Sequence, residues 1–126
     1  SAGYDVEAAE DTVIPSFKKG MKPTLVKTGV KAYMGEDEVL IIQPRSSIGF
    51  KKKLMLVNTT GIIDSDYYEN PDNDGNIGFA FYNMSDVDVL IKAGERVLQG
   101  IFEKYLVTED DNADEVRTGG TGSTGK

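Results

Sequence analysis

The stretch Gly61-Ile62-Ile63-Asp64-Ser65-Asp66-Tyr67-Tyr68 places a carboxylate at the end of an apolar run, with aromatic rings beside it. A carboxylate at the rim of a core is the kind of group that serves as a general base. The same stretch also reads as an acidic turn closing a strand. Pro44-Arg45-Ser46-Ser47 follows another apolar run and offers a guanidinium, two hydroxyls and backbone amides, a set suited to phosphate. On its own it is equally a plain turn. The chain has no histidine and no cysteine. A serine–histidine–aspartate hydrolase, a thiolate nucleophile and a thiolate zinc site are therefore excluded. Any proton transfer falls to a carboxylate, and any metal is a hard, oxygen-bound ion.

Two further patterns weigh less. Asn70, Asp72, Asp74 and Gly75 have the spacing of a calcium loop, but Phe81 stands where the bidentate glutamate belongs, so a solvated turn is expected. Gly120, Gly125 and Lys126 have the spacing of a phosphate loop. Such a loop needs a strand before it and a helix after it, and that reading is set aside. Glycine amides with Ser123 and Thr124 hydroxyls, beside Arg117, still suit an oxyanion.

These groups must be positioned by a chain of 126 residues, the length of one domain. Its 14 basic and 21 acidic residues leave a charge of −7, which argues against a nucleic-acid partner. No apolar run reaches the length of a membrane helix, so no membrane contact is expected. No secretory leader opens the sequence, and a cytoplasmic location is expected. Short β-branched and aromatic runs punctuated by glycine, proline and acidic turns predict strands at 12–14, 25–33, 38–43, 54–58, 76–83 and 87–91. The second and third are expected to pair across the Gly35-Glu36-Asp37 turn. This spacing predicts an all-β sandwich or barrel. In 96–106, Val97, Leu98, Ile101, Phe102 and Tyr105 fall at helical spacing, and a strand buried on both faces reads much the same. The glycine-rich end cannot form a core and is expected to be a flexible arm at 109–126, following a folded domain at 1–108.

Taken in order, five stretches resemble the motifs of the trimeric dUTP pyrophosphatases (dUTPases). They are Ala2-Gly3-Tyr4-Asp5, Pro44-Arg45-Ser46-Ser47, 61–67, Gly94-Glu95-Arg96 with Gln99, and 117–125. The three arginines of the chain, Arg45, Arg96 and Arg117, all fall inside them. The resemblance implies a jelly-roll-like β-barrel assembled as a homotrimer, with strand rather than helix at 96–106. It implies active sites shared between subunits and Mg2+-dependent cleavage of dUTP to dUMP and pyrophosphate. That activity, dUTP diphosphatase, keeps uracil out of DNA and supplies dUMP for thymidylate.

Matched residue by residue, the resemblance assigns Asp64 to activate the water that attacks the α-phosphorus. Arg45, Ser46, Ser47 and Gln99 match the residues that position the phosphates or support their site. Asp5 matches a carboxylate that meets magnesium through water, the ion being held mainly by the triphosphate. Asn58 matches the amide that reads uracil, and Tyr67 the ring that packs on deoxyribose. Arg117, Gly122, Ser123 and Thr124 match the arm that covers the terminal phosphates. The chain departs from the family at Thr121, where a phenylalanine is usual, and at 68–74, where the hairpin is longer by about six positions. A third departure is that the sequence begins at the first motif, whereas family members usually carry a further strand ahead of it. Two alternatives are a dCTP deaminase-like enzyme of the same superfamily, and a non-catalytic trimer that binds nucleotide or a regulatory protein partner.

Overall fold

The computed structural model describes residues 1–109. The regular structure of the described residues is mostly antiparallel strand, in the order β1 (Tyr4–Glu7), β2 (Thr12–Ile14), β3 (Thr24–Lys27), β4 (Glu38–Pro44), α1 (Ser46–Phe50), β5 (Leu54–Leu56), β6 (Gly61–Asp64), β7 (Gly78–Asn83), β8 (Val89–Ile91) and β9 (Arg96–Lys104). Single turns of 3-10 helix lie at Phe17–Lys19 and Ser65–Tyr67. Three sheets form, with strand orders β1-β9-β4-β6, β2-β8 and β3-β7-β5. The all-β, jelly-roll-like expectation holds. No helix among the described residues is long and apolar enough to cross a membrane.

The core lies between the sheets and is built from residues at alternate positions. In β4, Leu40 and Ile42 point inward and are buried, while Val39 and Ile41 face outward and are half-buried. In β3 and β7, Val26 and Phe81 are almost fully buried. Each such side chain contributes roughly 1.5–3 kcal/mol of transfer free energy. Asn83 is buried with its amide fully used: Nδ2 donates to the carbonyls of Ile14 and Val87, and Oδ1 accepts from the Ser85 amide and hydroxyl. It ties β7 to β2 and to the turn before β8.

One sequence expectation is corrected. Residues 25–33 do not pair with 38–43. Instead β3 ends at Lys27 and pairs with β7, Leu25 opposite Ala80 and Val26 opposite Phe79. The Thr28 hydroxyl closes that junction by donating to the Ile77 carbonyl at 2.6 Å. The turn at Gly35 is real, with the Gly35 N–H donating to Glu38 Oε1 at 2.7 Å, but it does not join two paired strands. The strand that the resemblance implies at 96–106 is present, as β9. β9 lies between β1 and β4 in its sheet, and its consecutive residues Val97 and Leu98, which point to opposite faces, are both fully buried. Gly100 fits this central place because a Cβ there would come within 2.9 Å of Ile42 Cδ1 and 3.0 Å of Leu40 Cδ1.

Candidate active site

The first cluster is assembled at one end of the four-stranded sheet. Asp5 of β1 lies opposite Gln99 of β9, which lies opposite Gln43 of β4. Cross-strand partners share a face, so these three side chains form one polar row. β4 ends at Pro44, whose carbonyl accepts from Gln99 Nε2 at 3.3 Å. The Arg45 N–H donates to the Val97 carbonyl at 3.0 Å, which fixes the backbone where it leaves the sheet. Arg45 is extended (φ −66°, ψ 151°) and Ser46 begins α1, so the expected turn is the entry to a short helix. The Arg45 guanidinium lies 3.3 Å from Asp5 Oδ1, and Arg96 lies 3.6 Å from Asp5 Oδ2. Exposed pairs of this kind add little stability. Their effect is to orient two guanidinium groups around one carboxylate. Beside them runs an open groove of about 430 Å³, walled by Arg45, Ser46, Phe50 and Thr59.

The second cluster is delivered by β6. Gly61 lies against the ring of Phe79, and any Cβ would overlap it, so glycine lets the strand approach the core. From there β6 runs along β4, Gly61 opposite Ile42 and Asp64 opposite Val39. Asp64 is half-buried at the strand's end and precedes the single helical turn that carries Asp66 and Tyr67. The Tyr67 ring is half-buried, and its hydroxyl accepts from Asn73 Nδ2 at 2.6 Å. Asn58 stands at the opposite end of β6, exposed in the turn from β5. That turn is held by Thr59 at φ 62°, whose N–H donates to the Leu56 carbonyl at 3.0 Å.

Asp5, Arg45, Ser46, Ser47 and Gln99 are thus brought together, and Asp64 with Tyr67, but the two groups are apart. Asp64 lies opposite Val39 at one end of β4, and Arg45 follows Pro44 at the other. The run from Val39 to Arg45, six steps at ~3.3 Å each, separates them by roughly 20 Å. Both groups open on the same face, because Asp64, Val39, Gln43, Gln99 and Asp5 share one side of the sheet. Between them runs an apolar row, Ile101, Ile41 and Ile62, of which Ile62 is 65% exposed. Arg117, Gly122, Ser123, Thr124 and the departure at Thr121 lie outside the described residues.

Sequence reasoning did not single out Gln43 or Asn73. Gln43 carries no motif signal, and only the register shows it beside Gln99. The calcium-like spacing of 70–75 is accounted for by turn chemistry: Asn70 Oδ1 accepts from the Asp72 N–H and Asn73 Oδ1 from the Gly75 N–H. Among the described residues no three carboxylates converge to hold a metal.

A family model described as dUTPase matches residues 1–125. A deoxyuridine 5'-triphosphate nucleotidohydrolase of Lactococcus lactis is 51% identical over 127 residues, covering 99% of this chain and 82% of that protein. The crystal structure of dUTPase from Streptococcus mutans superposes with a TM-score of 0.80 at 48% identity, covering 86% of this chain and 82% of that one. A mutant dUTPase from phage phi11 of S. aureus, whose structure concerns a structural Mg(II) ion, shares the fold at a TM-score of 0.70 and 22% identity, over 91% of this chain and 84% of its own. The chain belongs to the dUTPase family.

Proposed function

We propose that the protein hydrolyses dUTP to dUMP and pyrophosphate in a homotrimer whose active sites are shared between subunits. The observation that carries this is the separation of Asp64 from the Arg45 cluster on one face. A reacting water must sit within about 3–3.5 Å of phosphorus, and no side chain spans the gap between base and phosphate ligands. A second copy laid over the face brings its Arg45, Ser46 and Gln99 to this chain's Asp64, and covers the apolar Ile101–Ile41–Ile62 row.

In that site Asp64 accepts a proton from water as the water oxygen bonds to the α-phosphorus. The bond to the bridging oxygen breaks, and pyrophosphate leaves with its electron pair. Arg45, Ser46 and Gln99 donate to the phosphate oxygens where charge builds up, and Ser47 supports their loop. Asn58 and its hairpin read the uracil edge, and Tyr67 packs on the deoxyribose and excludes a 2′-hydroxyl. The arm at 109–126, with Arg117, Gly122, Ser123 and Thr124, covers the terminal phosphates.

Mg2+ fits as an ion carried by the triphosphate, since such ions use one or two carboxylates plus phosphates, and Asp5 supplies one carboxylate among the phosphate ligands. When bound it neutralises phosphate charge. The reaction belongs in the cytoplasm, in keeping with a chain that cannot form disulfides.

Pyrophosphate release with magnesium, measured on dUTP beside dCTP, dTTP and UTP, tests the reading. Turnover confined to dUTP is expected. Ammonia from dCTP would instead indicate a deaminase, and binding without turnover a regulatory trimer.

A further inference from the structure

The loop after Tyr67 is built around a single side chain. Asn73 uses every polar group it has. Its N–H donates to the Asn70 carbonyl at 3.2 Å, and its carbonyl accepts from Asn76 N and Nδ2 at 3.0 and 2.8 Å. Its Oδ1 accepts from the Gly75 N–H at 3.0 Å. Only oxygen can accept there, so the amide orientation is fixed and Nδ2 is left to donate to the Tyr67 hydroxyl at 2.6 Å.

The rest of the loop makes that donor immobile. Asn70 is almost fully buried, and its carbonyl also accepts from the Asp74 N–H at 2.6 Å. Gly75 sits at φ 74°, with its Cα so near the Tyr68 carbonyl that any Cβ would overlap it. From outside, Lys31 pairs with Asp74 at 3.2 Å and lies 4.1 Å over the Tyr68 ring. Tyr33 packs edge-on against Tyr68 at 5.4 Å.

We infer that Asn73 is a positioning residue for sugar selectivity: through the Tyr67 hydroxyl it fixes the ring at the distance that admits deoxyribose and rejects ribose. This rests on the reading that Tyr67 packs on the sugar. A ring held at both ends leaves less room for the extra hydroxyl than one that can tilt about χ1 and χ2.

The test is the ratio of kcat/KM for dUTP to that for UTP in the full chain. One hydrogen bond of this type corresponds to about three- to tenfold, so Asn73→Ala is expected to lower the ratio by that factor. Asn73→Asp is expected to restore it, since one carboxylate oxygen accepts from Gly75 and the other from the Tyr67 hydroxyl. Tyr67→Phe, which leaves the loop's own bonds intact, is expected to match Asn73→Ala, and the double variant to lose nothing more. This arm answers the question even where Asn73→Ala does not fold.

Unchanged ratios in Asn73→Ala and Tyr67→Phe, or additive losses in the double variant, overturn the inference. Tyr67→Ala separates the two readings. Collapse of the ratio there, with Asn73→Ala and Tyr67→Phe unaffected, removes Asn73 alone. An unchanged ratio in Tyr67→Ala removes the sugar contact itself.

Discussion

If base and phosphate ligands come from different subunits, two dead variants rescue each other. Asp64→Asn removes the base and lowers turnover about 10²- to 10⁴-fold, and Arg45→Ala removes a charged donor at a cost of about 10²- to 10³-fold. In the structure these residues stand beside opposite ends of β4, roughly 20 Å apart. Each proposed site therefore takes Asp64 from one subunit and Arg45 from a neighbour. In trimers formed at random from equal amounts of the two variants, a site is intact when an Arg45→Ala subunit supplies Asp64 and its neighbour is an Asp64→Asn subunit. That occurs in about one site in four. Unfolding the variants together and refolding them should return about a quarter of unmutated pyrophosphate release, far above either parent. The yield should follow the product of the two mole fractions, peaking at equal mixing. A chain carrying both substitutions gives the control, because mixing it with unmutated chain at equal amounts leaves about one site in four rather than one in two. If the two variants stay dead after verified mixing, sites are built within one chain and the shared-site reasoning fails.

Other perturbations test the scaffold. Gly61→Ala forces a methyl group into the Phe79 ring and is expected to cost about 1–3 kcal/mol, lowering Tm by roughly 5–15 °C in a thermal melt. The Asp88 carboxyl is held below its usual 3.8 by the Lys19 ammonium, 2.6 Å away, and by the Ser16 N–H. A depressed native pKa contributes stability above the unfolded value and loses it as pH falls through the native one. Asp88→Asn should therefore melt lower than the unmutated chain at neutral pH, and the gap should close below about pH 3.8. A gap that persists at pH 2 would assign the effect to packing instead.

Local pattern was enough to find most strands, because alternation and turn residues are properties of neighbouring positions. It was not enough to pair them. Leu25 and Val26 alternate out and in whichever strand lies beside them, and the Gly35 turn carries a true local hydrogen bond without closing a hairpin. The contacts that join it to β7, such as the Thr28 hydroxyl on the Ile77 carbonyl, link residues nearly fifty apart. β9 misleads for the same reason: what packs above and below the sheet is not local, so apolar doublets such as Val97-Leu98, buried on opposite faces, and Ile101-Phe102 mimic a helical stripe. The opening motif gave no strand signal, since Tyr4–Glu7 is short and mostly exposed, and its pairing with β9 supplies the order its sequence lacks.

The site was legible as residue types and not as a place. Asp64, Arg45 and Gln99 could be picked out, but nothing in their order along the chain says that β4 holds the first two at opposite ends. That separation has an electrostatic consequence. A guanidinium beside a carboxylate favours the charged carboxylate and weakens it as a base. Within one chain Arg45 is instead engaged by Asp5, together with Arg96, and Asp64 stands beyond the apolar row of Ile101, Ile41 and Ile62. In the proposed trimer the base and the cation meet only across a subunit boundary, with the triphosphate between them. The cation then acts on phosphate charge rather than on the base. The proposed trimer thus gives the apolar row and the separation of Asp64 from Arg45 one explanation: the surface that a second copy would cover is the surface across which the site would be completed.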